Sequence, residues 1–579
     1  MVIFLIAAVL RFYRLGENPP SLDWDEASMG YNAYSLLLTG KDEYGNAWPI
    51  SIRSFNDYKP PLYTYTLIPT IAVFGLNEFA VRFPSALAGT LTVLVTYFLV
   101  AELFSHKNSK FEIRNSKFLP AIAAGLLAIS PWHLQFSRVA FEANLALFFF
   151  VLAVFLLAKA LLDIERDEKK LKMPAHRSLR FAKRQNMQYA QNRETNGGEN
   201  GKWKIKNISY LFAASVSFVA TMYAYHSARI IVPVFVLIAA VVYRHRIGKM
   251  KRAVIPAAAV GFLLLVPVFL TLLRGFAQAR FTTVSVFTNP GIYTRESEKL
   301  TRQSEYRLED EQQNSFLFVL HHPWLVYTLT ILEGYFDHYN LDFLFLKGDG
   351  IGRHSASGMG LLYLFELPFA LVGVYALVKN KEPALRMIIP WLIVAPLASA
   401  MTTQTPHAVR SLLMLPALTI ISAYGMIHVV HQYKKYRYVL GLVGVLAIVN
   451  VVYYLDLYYI QTPIERSHDW QYGYKQLVQN LSLIEATSRE IIVTTEYDQP
   501  YIFFLFYNKI DPSWYQTVSE KGPGGFAKYV FRKIDYDEDA LLSETAIAGS
   551  PKEIPDQASK FDTIQYLNGD EAFRIVQTH

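Results

Sequence analysis

Three acidic residues follow closely on the apolar start of the chain. The first ten residues, MVIFLIAAVL, are almost entirely apolar, and the stretch SLDWDEASMGY at 21–31 then brings Asp23, Asp25 and Glu26. Carboxylates beside a bilayer are costly unless they lie in an aqueous loop and perform a function. One such function is general-base catalysis, in which a carboxylate takes the proton of a reacting hydroxyl. The alternative is structural, because acidic side chains also stabilise the N-terminus of a helix.

A lysine in the same region supplies the opposite charge. In DYKPPLYTY, Lys59 precedes Pro60 and Pro61. Proline fixes its own φ and restricts the residue before it, so we expect Lys59 on an extended, rigid segment. A rigid cation near a membrane interface can hold a phosphate as a point charge. Its presence favours a catalytic over a purely structural role for the carboxylates.

Composition places these residues in a membrane protein. The chain has 579 residues, of which 52% are hydrophobic and 15% aromatic, and its mean hydropathy is +0.19. A soluble protein of this length would have fewer aromatic residues and a negative mean hydropathy. The sequence contains no cysteine, which excludes disulfides, thiolate metal sites and cysteine nucleophiles.

Long apolar runs predict an all-α, polytopic domain at 1–460. We expect eleven spans, near 1–11, 82–104, 119–136, 142–162, 208–225, 229–243, 253–273, 358–378, 386–400, 409–431 and 438–459. The first is short for a complete span, but it lacks the basic region and the cleavage site of a signal peptide. Between the first two spans, ASMGYNAYSLLL has the apolar spacing of an amphipathic helix lying on the membrane.

The basic residues indicate the orientation of the spans. The five basic clusters fall in alternate loops, at 106–117, 163–206, 243–252, 379–386 and 433–438. The positive-inside rule makes these loops cytoplasmic, and it explains the net charge of +8 without a nucleic-acid partner. Loops 12–81 and 274–357 then face outward from the cytoplasmic membrane. The apolar segment 316–336 is predicted to be a helix at the outer interface, because another span there would invert the later basic loops.

The last part of the chain has a different character. Residues 463–579 contain 11 Lys+Arg and 18 Asp+Glu, a net charge of −7. Within this part, REIIVTTEY predicts a strand, QPYIFFLFYNK a helix and KGPGG a turn. We therefore expect a small extracytoplasmic α/β domain at 463–579.

Three motifs carry a resemblance to a known family. DWDEASMGYNAYSLLLTG, DYKPPLYTY and RFPSALAGTLTVLVTYFLVAELF resemble the opening of bacterial polyprenyl-phosphate-sugar-dependent membrane glycosyltransferases. These are similar to the dolichyl-phosphate-mannose protein mannosyltransferases and to the lipid A aminoarabinose transferases, which share the type C glycosyltransferase fold. The resemblance covers residues 11–104 well and continues loosely to about 460.

The resemblance implies roles for particular residues. It implies that outer loop 12–81 is catalytic, with Asp25 as the general base, Glu26 completing the acidic pair and Glu142 as a second acidic element. It further implies a donor phosphate-binding set, which comprises Lys59, Arg138, His226, Arg229, Arg353 and Arg410. Each has a plainer alternative: a salt bridge between Glu142 and Arg138, a local hydrogen bond for His226, an ordinary turn at Arg353, and snorkelling for Arg410.

Whether a divalent metal takes part is left open by the sequence. Glu142 stands where the family usually has aspartate, and Tyr58 stands where some relatives have a glutamate before KPP. The second departure weakens a metal ligand at that position. The sequence thus names no cofactor and no metal-ligating set.

The predicted activity is the inverting transfer of a sugar from a polyprenyl-phosphate donor to a lipid, glycan or protein acceptor on the outer face of the membrane. The chain has no Rossmann-type nucleotide-sugar motif, in agreement with a lipid-linked donor. The alternatives are a transporter or flippase of lipid-linked glycans and a non-catalytic surface scaffold. A transporter would show polar residues at mid-span and internal repeats, and the sequence shows neither.

Overall fold

A computed structural model describes residues 1–55, 57–105, 118–172, 197–273, 284–287, 294–313, 316–519 and 521–578. Within these ranges, side chains are described except at 163–172, 197–207, 294–300 and Lys434. The predicted cytoplasmic loop 106–117 and most of loop 163–206 therefore lie outside the described residues.

Helices account for most of the described chain. Numbered α1 to α23 in chain order, they are Val2–Phe12, Trp24–Thr39, Leu62–Phe74, Glu78–Leu103, Leu119–Ile129, Pro131–Ser137, Glu142–Lys172, Gly197–Ala224, Ala228–Val242, Arg244–Lys249, Lys251–Leu273, Thr294–Gln312, Pro323–Asp337, Glu366–Lys379, Leu385–Val394, Leu397–Ala400, Leu415–Gln432, Arg437–Asp456, Thr462–Glu465, Tyr474–Ile484, Pro500–Tyr507, Pro512–Tyr515 and Tyr536–Asp539.

The helices are those of a multi-pass membrane protein. Among the described residues, five helical segments are long and apolar enough to cross a bilayer, and they match the spans predicted at 82–104, 142–162, 253–273, 409–431 and 438–459. Shorter apolar helices stand at four other predicted spans, whereas the span expected at 358–378 is reduced to the 14-residue α14. The prediction missed α3, an apolar helix of 13 residues inside the loop 12–81.

The span predicted at 119–136 is broken. Helices α5 and α6 meet at an angle of 59°. The break follows from the local sequence: Ser130 caps α6 by accepting a hydrogen bond from His133 N at 3.4 Å, and Pro131 occupies the first turn. Proline at that position has no amide hydrogen to continue the preceding helix.

The C-terminal part contains a six-stranded mixed sheet, in the order β4-β5-β3-β6-β8-β7. Its strands are Glu490–Val493 (β3), Gly525–Phe526 (β4), Tyr529–Phe531 (β5), Thr545–Gly549 (β6), Lys560–Gln565 (β7) and Glu571–Gln577 (β8). The central strand β3 runs parallel to β5 and β6, with Ile491 beside Tyr529 and Ala546. The predicted strand in REIIVTTEY and the predicted helix in QPYIFFLFYNK are confirmed as β3 and α21.

Helix α2 lies between the membrane part and the C-terminal part. Its residues from Glu26 to Ala33 are all buried, whereas the prediction was an amphipathic helix lying on the membrane. Its side chains join those of α3 and α21 in one hydrophobic core. At Gly30, a Cβ would come within 2.7 Å of the Phe506 ring and 2.8 Å of Val81, so only glycine allows this close approach.

Candidate functional site

The first turn of α2 carries the acidic residues, and a capping box fixes it. Asp23 accepts a hydrogen bond from Glu26 N at 2.8 Å, and the Glu26 carboxylate accepts one from Asp23 N at 3.3 Å. The pattern satisfies two amide groups that a helix N-terminus leaves without partners. Asp25 is the second residue of the helix, and its side chain remains 39% exposed.

Lys59 is delivered to Asp25 by a short hairpin. Strands β1 (Ile52–Ser54) and β2 (Asp57–Lys59) pair antiparallel, with Ile52 opposite Lys59. Pro60 and Pro61 follow Lys59 and lead into α3. The two prolines make this segment rigid because each fixes its own φ. The Lys59 ammonium donates to Asp25 Oδ1, and the lysine side chain is only 6% exposed. A buried cation and a partly exposed carboxylate thus face each other at this point.

Glu142 adds a second negative charge to this pair. It is the first residue of α7, and its charge acts on Lys59 together with those of Asp25 and Asp23. Burial by itself lowers the pKa of Lys59, but these carboxylates reverse the effect and raise the pKa above its ordinary value. Lys59 is therefore a permanent cation in the site.

His226 holds the hairpin in place. His226 lies in the turn that precedes α9, and its Nε2 donates to the main-chain carbonyl of Tyr58 at 2.9 Å. The contact fixes the residue next to Lys59. The bond joins two segments that lie 168 positions apart in the chain.

Glu26, assigned to an acidic pair with Asp25, makes its described contacts with Arg82 and with the main chain. Its side chain is fully buried, and both carboxylate oxygens accept from Arg82, at 3.0 Å each. Glu26 Oε1 also accepts from Ala140 N at 2.8 Å. These bonds tie the start of α2 to α4 and to the segment before α7. Glu26 therefore joins three segments of the chain through buried hydrogen bonds.

Arg138 is likewise committed elsewhere. It is fully buried and donates to the carbonyls of Leu10 at 2.9 Å and Asn18 at 2.8 Å, with longer bonds to two further carbonyls nearby. Its guanidinium also lies 5.0 Å from the centre of the Tyr459 ring. Arg138 therefore fastens the chain that leaves α1.

Arg353 reaches the acidic turn from a distant loop. It donates to Asp23 Oδ2 at 3.0 Å, and its guanidinium lies 4.4 Å from the Trp24 ring centre. Burial raises the pKa of Asp23 to about 7, against the opposing effect of the Arg353 charge. On the other side, Gln471 accepts from Trp24 N at 3.0 Å. The loop that carries Arg353 and the C-terminal part thus both hold the residues next to Asp25.

The remaining two predicted cations make local contacts. Arg229 donates to Met222 O at 3.4 Å, and Arg410 donates to Thr402 Oγ1 at 2.8 Å. Asp25 contacts Lys59, and the charge of Glu142 acts on Lys59. His226 and Arg353 contact the neighbouring residues Tyr58 and Asp23. Among the contacts described, none joins Arg229 or Arg410 to this group.

The sequence analysis did not predict three residues that support the site. They are Asp23, which binds Arg353, together with Arg82 and Gln471. A signal existed for Asp23, because an aspartate followed three residues later by glutamate is the pattern of a capping box. Arg82 and Gln471 carry no local signal. They lie 56 and 447 positions from their partners in α2.

The chain is similar to known proteins in part of its sequence and in its fold. Residues 1–174 match the model of the family described as dolichyl-phosphate-mannose-protein mannosyltransferase. The whole fold is similar to the crystal structure of ArnT from Cupriavidus metallidurans bound to undecaprenyl phosphate, with a TM-score of 0.54, 12% identity, and coverage of 99% of this chain and 97% of that one. The chain has the type C glycosyltransferase fold.

A second solved structure is similar at a lower score. It is the archaeal oligosaccharyltransferase AglB from Archaeoglobus fulgidus in complex with an inhibitory peptide and a dolichol-phosphate. The TM-score is 0.48 and the identity 12%, with coverage of 95% of this chain and 69% of that one. No curated protein sequence matches the chain. The family match includes Asp25, Lys59 and Glu142, since all three lie within residues 1–174.

Proposed function

We propose that this protein transfers a sugar from a polyprenyl-phosphate carrier to an acceptor hydroxyl, with Asp25 as the general base. The observation that carries the proposal is the Asp25–Lys59 ion pair, in which a carboxylate that solvent can reach faces a buried lysine. The mannosyltransferase family match over the part of the chain that contains both residues supports a donor of this class. The acceptor belongs to the lipids, glycans or proteins of the cell envelope.

The reaction is a single displacement. The acceptor oxygen attacks the anomeric carbon opposite the phosphate, and Asp25 takes the hydroxyl proton as the new C–O bond forms. The bond between the sugar and the phosphate breaks, and its electron pair leaves with the polyprenyl phosphate, so that the configuration at the sugar is inverted. A positioned base of this kind contributes ~10²–10⁴-fold to the rate.

Lys59 serves both sides of this reaction. Before the donor arrives, its ammonium favours the ionised form of the Asp25 carboxylate, which is the form that accepts a proton. When the donor binds, the phosphate competes for the same ammonium and then receives its charge as the leaving group departs. A cation that is fixed in advance stabilises this developing charge without reorganisation of the site.

The other members of the site have distinct parts in the proposal. Glu142 keeps Lys59 charged, and it lies at the start of α7. His226 positions Lys59 through its bond to Tyr58. Arg353 supports the acidic turn through Asp23 and, with Arg229 and Arg410, supplies further positive charge for the donor phosphate. The site and the C-terminal part face outward from the cytoplasmic membrane in this proposal, in agreement with the distribution of basic loops.

The test is Asp25→Asn, assayed with purified protein, labelled polyprenyl-phosphate sugars and extracted envelope acceptors. The variant keeps the size of the side chain but loses the proton-accepting charge. We expect donor binding as in wild type and transfer slower by at least ~100-fold. Asp556→Asn is the matched control, since Asp556 is 79% exposed in the C-terminal part. Transfer by Asp25→Asn above a tenth of the wild-type rate would leave Asp25 as a helix-capping charge, worth only ~0.3–1 kcal/mol of stability.

A further inference from the structure

A second cluster of chemically active side chains lies on the far side of Arg353. Asp349, His354 and His407 each offer one ligand atom, and these atoms all lie within 4.8 Å of one another. The side chain of Asp349 is fully buried and that of His354 is 8% exposed. The rings of His354 and His407 are 5.0 Å apart between centroids. Two histidines and an aspartate gathered in the interior form a ligand set without a part in sugar transfer.

The main chain around the cluster is arranged to hold these side chains. Asp349 accepts from Ala408 N at 2.8 Å and from Ile351 N at 3.1 Å, which fixes both of its oxygens. His407 N donates to His338 Nε2 at 3.2 Å. The loop that carries Asp349 and His354 is thereby joined to the segment that carries His407. The three ligand groups come from two chain segments more than fifty positions apart.

We propose that Asp349, His354 and His407 bind a divalent metal ion of the zinc type. Imidazole nitrogens together with one carboxylate are a ligand set that Zn²⁺ favours, with bonds of about 2.0–2.2 Å. The ligand atoms already lie within 4.8 Å of one another, so the proposal requires only that these side chains close on the ion. Three protein ligands leave one tetrahedral position for a ligand from outside the protein.

The contact between His354 and Asp349 shows what the ion replaces. His354 Nδ1 and Asp349 Oδ2 lie 2.6 Å apart, within hydrogen-bond distance. A histidine nitrogen coordinates a metal only without a proton, so a bound ion replaces this hydrogen bond. Phe136 and Phe141 pack on the His354 ring at 5.6 and 6.3 Å, and their apolar surfaces limit the access of competing water.

A bound ion supports the acidic turn mechanically, through the loop that carries Arg353. Arg353 precedes His354 directly, and it is the residue that holds Asp23 at the start of α2. A metal that fixes His354 therefore fixes the outer loop from which Arg353 reaches the acidic turn. The ion contacts neither Asp25 nor Lys59 in this arrangement, so its binding is independent of the proposed sugar transfer.

The experiment is a titration of the chelator-treated, full-length protein in detergent with Zn²⁺ and with Co²⁺, whose visible spectrum reports imidazole coordination. We expect about one equivalent of metal bound per chain and a rise in thermal stability on binding. His354→Gln and His407→Gln should each weaken binding by at least ~10-fold, the lower end of the loss known for substitutions in the outer shell of metal sites. His245→Gln, at an exposed position, is the matched control and should bind as wild type.

Three results would overturn the inference. Wild-type protein that binds no Zn²⁺ or Co²⁺ has no such site. Unchanged affinity in both glutamine variants would place the ion elsewhere. Loss of binding in Asp25→Asn, with His354→Gln unaffected, would assign the ion to the carboxylates around Lys59. None of these metal-binding measurements requires sugar transfer, so they test the metal site independently of the proposed function.

Discussion

The ammonium of Lys59 contacts the carboxylate of Asp25 across 34 positions of the chain. Each partner is held from its own side: Asp25 by the capping box of α2, and Lys59 by the β1–β2 hairpin and by the bond from His226 to Tyr58. Two independent local structures therefore position the two partners. The strength of the ion pair depends on both structures.

Replacing Lys59 by Met should weaken donor binding as well as turnover. Hydrogen bonds to charged groups are worth ~1.5–3 kcal/mol, so we expect donor affinity to fall by roughly 10- to 150-fold. Lys41→Met is the matched control, because Lys41 is an exposed lysine of the same loop. Binding is measured with labelled polyprenyl-phosphate sugar in nanodiscs. An unchanged affinity would locate the donor phosphate elsewhere.

Loss of the Glu26–Arg82 pair should affect stability and not donor affinity. Both side chains are fully buried, and removal of one partner from a buried ion pair typically costs ~3–5 kcal/mol. Glu26→Gln and Arg82→Met should therefore lower the stability measured by denaturation in micelles. The exposed pair Arg14–Glu17 supplies the control, since Glu17→Gln should cost ~1 kcal/mol or less. If Glu26→Gln retains full stability but loses turnover, Glu26 takes part in the reaction after all.

Glu43 should make the stability of the protein depend on pH. It is fully buried beside Asn32, and burial raises its pKa to about 8. Between about pH 4.5 and 8 the unfolded chain releases this proton while the folded chain keeps it, so the stability present at low pH is lost as the pH rises towards 8. At ~1.4 kcal/mol for each pKa unit, the loss is of order 3–5 kcal/mol.

The Glu43→Gln variant isolates this effect. Glutamine can still accept the hydrogen bond from Asn32 but does not titrate. The stability of the variant relative to wild type should therefore increase from pH 5 to pH 8, as followed by thermal unfolding in detergent. Glu538→Gln, at an exposed position, should show no such trend. A constant difference across this range would mean that Glu43 is ionised in the folded protein.

The orientation of the loops can be tested directly, because the chain has no cysteine of its own. We expect Ser51→Cys and Ser513→Cys to react with a membrane-impermeant thiol reagent in intact cells. His245→Cys, in the basic segment at 243–252, should react only after the membrane is opened. The opposite pattern would place the Asp25–Lys59 site on the cytoplasmic side.

Local signals in the sequence predicted local structure well. The positions of Asp25 at a helix start and of Lys59 on a rigid segment follow from neighbouring residues, and both features are present. Long apolar runs located the five complete spans for the same reason. The helix α3 was missed because Pro69 and several tyrosines and threonines interrupt its apolar pattern.

Contacts between distant segments could not be predicted in this way. The family resemblance implied a catalytic role for Glu26 and a donor-phosphate role for Arg138. Their partners, Arg82 and the carbonyls after α1, are brought to them only by tertiary packing. Helix α2 was assigned to the membrane surface because nothing in its own sequence shows that α21 covers it.

The contact of α2 with α21 has a consequence for the synthesis of the protein. Gly30 packs directly against Phe506, and all of the intervening chain is made before the two can meet. A growing chain that has not yet passed Tyr507 lacks the surface that encloses α2, and so Asp25 lies on a helix without its permanent neighbours. The surroundings of Asp25 are therefore completed only after α21 has been made, and a chain interrupted before α21 has no assembled site.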